Sequence, residues 1–208
     1  MKIYNFKILL LTVFTFHFFN PFLTQEKEFK LSDKKFRLEL EPASFFLNGA
    51  AASLYYVLDE KKNLNLGIYL LSCDVPDFSK QGVFEGVNDN ADVRIGFEFA
   101  VTGKYKLNLF KNLESNPYIG FIFGWEYFDI QQKEPLNTEK FRISTWIFTP
   151  YLSHEIYLYK QMLYLNPQLR GVLYFGQSNP SVDGNPVIRD EKITKSYLLP
   201  QIGLGLRL

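Results

Sequence analysis

Few side chains in this sequence could perform acid–base or nucleophilic chemistry. The chain contains two histidines, His17 and His154, and His154 stands between Ser153 and Glu155, which are residue types of a hydrolytic triad. If this segment is a β-strand, adjacent residues point to opposite faces, so Ser153 and His154 do not meet. Only a bulge near Pro150 would bring them together. The pattern therefore predicts no catalytic site.

Metal ligands and cofactor motifs are also scarce. Cys73 is the single cysteine, so a cluster of histidine and cysteine ligands cannot form. The sequence has no glycine motif for binding phosphate or a dinucleotide. Four acids lack the spacing of a calcium-binding EF-hand loop and are expected to be solvated: Asp74, Asp77, Glu85 and Asp89. We predict that the protein uses neither a metal nor a cofactor.

A larger set of charged residues recurs at alternate positions within apolar segments. Cations and anions balance on this polar face, and the forked guanidinium of arginine can bind several carboxylates at once. Glycines on the same face leave space for long side chains: Gly67, Gly96, Gly120, Gly124, Gly203 and Gly205. We predict that this face forms a packed ion-pair network, which lines the lumen if the segments close into a barrel. Its members are Arg37, Glu39, Glu41, Asp92, Arg94, Glu98, Glu126, Arg142, Arg170 and Arg207.

The elements that must position these residues are β-strands. Apolar residues alternate with polar residues or glycine most clearly in 91–101, 117–130 and 198–208, and this period of two is typical of strands. Several segments reach the length of about ten residues that a tilted strand needs to cross a bilayer. About eight strands are predicted in all: 36–41, 50–58, 64–73, 91–101, 117–130, 139–156, 162–175 and 198–208. The predicted fold is all-β, an antiparallel up-and-down transmembrane barrel.

The lengths of the connections alternate along the chain. Short turns at 59–63 and 157–161 fall on one side of the predicted sheet, and long polar loops at 74–90 and 176–196 fall on the other. Transmembrane barrels have this asymmetry, with short periplasmic turns and longer extracellular loops. The connection at 102–116 departs from the rule, because it is long yet lies on the side of the short turns.

Residues 1–25 have the pattern of a cleaved signal peptide. Lys2 and Lys7 are followed by an apolar run at 8–19, which is shorter than the roughly 20 residues of a membrane-spanning helix. We predict cleavage between 22 and 26, which leaves 26–208 as a single barrel domain.

Composition excludes some partners. The formal net charge of +1 gives no electrostatic basis for binding nucleic acid, and one cysteine allows no disulfide within the chain. Aromatic residues make up 17% of the sequence, which suits the aromatic girdles of a membrane barrel as well as any well-packed β-protein.

In the terminal strand 198–208, the segment 163–171 and the signal peptide, the chain resembles the small outer-membrane β-barrel proteins of Gram-negative bacteria, the OmpA-like and porin-like barrel superfamily. This resemblance of pattern covers the chain beyond the signal peptide. It implies a location in the outer membrane, contact with outer-membrane lipid, and recognition by the barrel-assembly machinery through the C-terminal strand. We expect a monomer.

Three functions are compatible with these patterns. We predict a non-enzymatic outer-membrane barrel with a packed charged lumen and a structural or loop-mediated binding role. The main alternative is a soluble, secreted, lipocalin-like barrel, in which the apolar face of 93–101 points inward to bind an apolar ligand. A second alternative is a lipid-modifying enzyme at the barrel rim that uses His154, since some barrels of this superfamily are acyl-transfer enzymes.

Overall fold

The computed structural model describes residues 35–59, 63–88, 90–107, 109, 117–133, 138–159, 162–182, 185–186, 191–194 and 196–208. The predicted signal peptide and its cleavage site lie outside the described residues. Neither of the short helices within these ranges has the length and apolarity to cross a bilayer.

Eight antiparallel strands close into a barrel. The elements, in chain order, are β1 (Phe36–Leu40), α1 (Pro42–Phe46), β2 (Ala50–Asp59), β3 (Leu64–Asp74), α2 (Asp77–Val83), β4 (Phe84–Glu85), β5 (Asp92–Lys106), β6 (Pro117–Lys133), β7 (Thr138–His154), β8 (Ile156–Tyr159), β9 (Leu163–Phe175), β10 (Ser181–Val182), β11 (Asn185–Pro186), β12 (Lys192–Ile193) and β13 (Ser196–Arg207). The barrel order is β1–β2–β3–β5–β6–β7–β9–β13, and β13 pairs back to β1. The predicted all-β, eight-stranded, up-and-down barrel is confirmed.

The two faces of the strands have opposite character. On β6, Ile119, Phe121, Phe123 and Trp125 are exposed on the outside, whereas the alternating residues between them are buried. Every other barrel strand likewise exposes large apolar side chains, including Phe36, Leu54, Ile68, Phe99, Trp146, Leu169 and Leu198. So wide an exposed apolar surface is unfavourable in water but favourable in contact with lipid. The soluble lipocalin-like alternative requires the reverse arrangement and is therefore wrong.

A β-bulge at Gly96 reverses the faces within β5. The register to both neighbouring strands shifts there by one residue, and such a shift moves the following side chains to the other face. As a result, Val93 is buried inside, whereas Asp92 and Arg94 lie on the outer face. The sequence pattern alone predicted the opposite placement for these two charged residues.

Two predicted boundaries change with the structure. Strand β5 continues to Lys106, so it takes up 102–106, which the sequence assigned to a connection. Strands β6 and β7 keep one register from Pro117 opposite His154 to Lys133 opposite Thr138. Because this register passes Pro150 without interruption, the bulge that could have joined Ser153 to His154 is absent from this pairing.

The long loops form a folded cap. We call the end of the barrel that holds Asp59, Leu64 and Leu163 the turn end, and the opposite end the loop end. At the loop end β4 pairs with β12, which joins the two long connections. An apolar core lies beneath them, made by Val75, Val83, Phe84, Ala91, Val93, Phe128, Ile130, Phe141, Ile143 and Ile193. These connections, read as polar loops from the sequence, thus bury apolar residues of their own.

Candidate functional site: the barrel interior

One buried carboxylate, Glu155, gathers charges from across the barrel at the turn end. It accepts hydrogen bonds from Arg37 at 2.7 Å, from Lys104 at 2.9 Å and from Arg207 at 3.1 Å. The hydroxyls of Tyr118 and Tyr157 donate to it as well, at 3.1 and 2.9 Å. The side chain of Glu155 is fully buried, so these donors replace the water that a carboxylate would otherwise need.

Lys104 links Glu155 to a second carboxylate, Glu39. Glu39 also accepts hydrogen bonds from Tyr164 at 2.8 Å and from Asn166 at 3.0 Å. The ammonium of Lys104 lies over three tyrosine rings, 4.7 to 5.5 Å from their centroids, an arrangement that stabilises a desolvated cation. We call Arg37, Glu39, Lys104, Glu155 and Arg207 the turn-end cluster.

Glycine makes room for this cluster. A Cβ at Gly205 would overlap the ring of Tyr164, which is entirely buried and stands against the β13 backbone. With a larger residue at position 205, the ring of Tyr164 could not stay in this place and donate its hydrogen bond to Glu39. The expectation that inward glycines leave space for long side chains agrees with this contact.

A second polar layer lies above the turn-end cluster. Arg170 forms an ion pair with Glu41 and donates to Gln168 at 2.9 Å. Glu41 further accepts hydrogen bonds from Gln201 at 2.9 Å and from Tyr69 at 3.2 Å. The charges in this layer balance, and each is held by neutral donors or acceptors in addition to its partner.

Two further carboxylates, Glu98 and Glu126, lie opposite each other on β5 and β6. They are 3% and 1% exposed, and neither forms a salt bridge with a cation among the described residues. One oxygen of each, Oε1, has no hydrogen-bond partner among the described atoms, and the same holds for the hydroxyl of Thr149 nearby. We call Glu98 and Glu126 the carboxylate pair.

The structure places the ten predicted network residues in two groups. Seven are buried inside the barrel: Arg37, Glu39, Glu41, Glu98, Glu126, Arg170 and Arg207. The other three lie on the outer face in solvent-exposed ion pairs, Arg94 with Asp74, Asp92 with Lys133, and Arg142 with Asp129.

Two features of the structure explain the outward placement of these three residues. Near the loop end the interior is filled by the apolar core beneath the cap, so Phe141 and Ile143 point inward and Arg142 outward. The bulge at Gly96 has the same effect on Asp92 and Arg94. The rule that polar side chains face the lumen therefore ends where the cap begins.

Lys104 and Glu155, the centre of the turn-end cluster, are missed by the sequence reasoning. The sequence pattern assigns Lys104 to a connection, although the inward alternation of Glu98, Ala100 and Thr102 continues to it. Glu155 enters the sequence analysis only as a neighbour of His154. Extending the period of two along each strand would have found both residues.

The residues around His154 do not assemble a catalytic triad. His154 occupies an outward position between Leu152 and Ile156, whereas Ser153 is buried on the inner face. The carboxylate of Glu155 is bound inside the turn-end cluster. Among the described residues there is also no group of three or more histidine, cysteine or acidic side chains that could hold a metal ion, and Cys73 is buried with its thiol free.

No protein-family model and no curated protein sequence matches the chain. Among solved structures, a major outer membrane protein from Thermus thermophilus has a TM-score of 0.50 at 12% identity, over 83% of this chain and 99% of that one. The N-terminal β-barrel domain of Pseudomonas aeruginosa OprF has a TM-score of 0.44 at 10% identity, over 83% of this chain and 96% of that domain.

The Thermus protein and this chain share their architecture over most of both lengths. The chain has the fold of an outer-membrane β-barrel. A closed barrel satisfies its backbone hydrogen bonds from strand to strand, and its apolar outer face suits the hydrocarbon of a bilayer. The fold and the outer surface are therefore those of a barrel that spans a membrane.

Proposed function

We propose that the protein is a non-enzymatic barrel of the outer membrane, that its lumen does not conduct ions, and that its binding role is carried by the loop end. The observation that carries the proposal is the turn-end cluster. Its side chains come from β1, β5, β13 and the junction of β7 and β8, and its three cations meet at the carboxylate of Glu155.

A barrel of eight strands has an interior that side chains can fill, whereas wide channels need about sixteen. In this barrel the interior at the turn end is filled by paired charges. A buried ion that loses its partner is left uncompensated, which is unfavourable. The paired charges therefore favour a closed arrangement over an open pore. The folded cap, in which the long connections pair with each other, supports a binding surface at the loop end.

The proposed partners follow from the two surfaces of the barrel. The apolar outer face favours contact with outer-membrane lipid. Strand β13 supports the barrel-assembly machinery as a partner, because its pairing with β1 is the step that closes the sheet. The net charge of only +1 gives no electrostatic support for nucleic acid as a partner.

Conductance of the purified, folded protein in a planar lipid bilayer tests the proposal. We expect no open-channel steps from the wild type. A variant that lacks the cluster's central groups, Arg37→Ser with Lys104→Ser and Glu155→Ser, should show such steps. Both samples must first show the gel shift between unboiled and boiled protein that identifies a closed barrel. Channel steps from the wild type would contradict the proposal.

The non-enzymatic part has its own test. Wild-type protein incubated with phospholipid and lipopolysaccharide vesicles should give no lipid product. If a product forms and His154→Ala abolishes it, the barrel is an enzyme of the rim and the proposal is wrong.

A further inference from the structure

A cavity of about 260 Å³ lies inside the barrel on the loop-end side of the Arg170–Glu41 layer. Its walls are predominantly apolar, with Leu71, Ile122, Phe128, Ile147 and Val172 among the lining residues. The volume is somewhat below the roughly 300 Å³ at which cavities for drug-sized ligands begin. The cavity therefore suits a small organic molecule.

The carboxylate pair lies in the wall of this cavity, together with Thr149. The unpartnered atoms are Oε1 of Glu98, Oε1 of Glu126 and Oγ1 of Thr149, and all three residues are nearly inaccessible to solvent. Buried polar atoms normally have a hydrogen-bond partner, and buried carboxylates normally have a cation. Three such atoms around one cavity indicate a ligand that brings donors and positive charge.

The protein's own cations do not fill this role. Arg170 is the cationic residue in the cavity wall, but its guanidinium already binds Glu41, Gln168 and the hydroxyl of Tyr69. Tyr174 and Tyr197 also border the cavity. Their hydroxyls bond to each other at 3.2 Å, and Tyr174 also forms a hydrogen bond with Glu126, whose Oε1 remains unpartnered. Arg170 attracts Glu98 through space, but neither acid of the pair forms a salt bridge with a cation among the described residues.

The cavity also extends to the rim of the barrel. There, Ala43 and Leu47 at α1, Pro76 and Ser79 at α2, and Pro200 on β13 border it. The cavity thus extends from the carboxylate pair towards α1 and α2, on the side away from the turn-end cluster.

We propose that this cavity binds a small organic ammonium ion with an apolar substituent. The ammonium group donates hydrogen bonds to Glu98, Glu126 and Thr149, and the substituent packs against Ile122, Phe128 and Ile147. An ammonium group has three donors, which matches the three unpartnered acceptors. A bare metal ion would leave the apolar walls without contact, so the organic cation fits both halves of the cavity.

The test is isothermal titration calorimetry on the folded, full-length barrel in detergent micelles, with 2-phenylethylammonium as the probe. Three comparison ligands accompany it: the neutral 2-phenylethanol, the anion 3-phenylpropionate, and methylammonium, which keeps the charge but lacks the apolar part. We expect saturable binding of 2-phenylethylammonium, with weaker binding of the other three.

The variant Glu98→Gln with Glu126→Gln should weaken binding of 2-phenylethylammonium about tenfold or more, because charge-assisted hydrogen bonds are the strong ones. It removes two neighbouring like charges, so the fold should persist. Ile147→Trp provides an independent variant, since it fills the cavity and leaves both carboxylates in place. Asp129→Asn, an exposed acid of the outer face, is the matched control and should leave the affinity unchanged.

Several results would overturn the inference. Absence of saturable binding to the wild type would mean that the pair is neutralised by a proton alone. Equal binding of 2-phenylethanol would make the site a general apolar cavity, and equal binding of methylammonium would make it an inorganic cation site. An unchanged affinity in both the double glutamine variant and Ile147→Trp would place the bound probe elsewhere. None of these results depends on whether the lumen conducts, so this inference and the proposed function fail separately.

Discussion

At the scale of single residues, Glu155 and Lys104 show how a charged lumen is kept stable. Each is completely buried, and each has more than one partner of opposite charge. Coulomb attraction alone rarely compensates the desolvation of buried ions, and further hydrogen bonds are needed. The tyrosines and Asn166 around the cluster supply them.

Replacing Glu155 by glutamine should therefore destabilise the barrel. The substitution keeps the shape of the side chain but leaves Arg37, Lys104 and Arg207 with Glu39 as the one remaining carboxylate of the cluster. Losing one partner of a buried pair typically lowers the free energy of unfolding by about 3 kcal/mol. Urea unfolding in phospholipid vesicles, followed by the fluorescence of the two tryptophans, would measure the change.

Asp129→Asn is the control for this experiment. It breaks the exposed ion pair with Arg142, and exposed pairs contribute at most about 1 kcal/mol. Equal losses of stability at Glu155 and Asp129 would mean that the turn-end cluster is not isolated from water, contrary to the burial of its side chains.

At the scale of the element, the sequence predicted which segments are strands but not every residue's face. The period of two identified the barrel strands within a few residues, because one apolar face against lipid constrains each strand. It could not reveal the bulge at Gly96, because apolar residues continue at every second position across it, on the inner face at Val93 and Ile95 and on the outer face at Phe97 and Phe99. For that reason Arg94 was assigned to the lumen together with Glu98, although only Glu98 lies there.

Gly96→Ala should destabilise the barrel, because a Cβ at this position would overlap the ring of Tyr127. The guanidinium of Arg142 lies over that ring, 4.0 Å from its centroid, so a shift of the ring would also disturb this contact. Forcing an extra carbon into a filled space costs about 1–3 kcal/mol. The measurement is again the free energy of unfolding in vesicles.

Gly171→Ala is the matched substitution on β9. A Cβ there would meet its nearest neighbours, in Leu198 and Pro150, at 3.9 Å, which is an ordinary contact. Alanine in a strand loses less conformational freedom than glycine on folding, so we expect no loss and a gain of up to about 1 kcal/mol. If alanine were tolerated as well at Gly96 as at Gly171, the bulge would not depend on glycine.

At the scale of the whole molecule, the level of the bilayer follows from the outer face. On β6 that face is apolar from Ile119 to Tyr127 and becomes polar at Asp129, Gln131 and Lys133. The neighbouring strands change at the same height, since Arg94, Asp129 and Arg142 stand side by side in the register. The row of exposed ion pairs thus marks the upper boundary of the hydrocarbon, and the cap lies above it.

Arginine substitutions at three heights on the outer face should report this boundary as a gradient of stability. An arginine facing lipid costs about 2–4 kcal/mol at the bilayer midplane and nearly nothing at the interfaces. Val101→Arg, within the apolar belt, should therefore lower the free energy of unfolding most. Tyr105→Arg, near the turn end, should lower it less, and Gln131→Arg should leave it almost unchanged.

Val101→Ala measures the packing lost at the first site, so that the excess cost of Val101→Arg reports the charge in lipid. Equal costs at Val101 and Gln131 in vesicles would contradict the assigned boundary, because both side chains would then lie in the same medium.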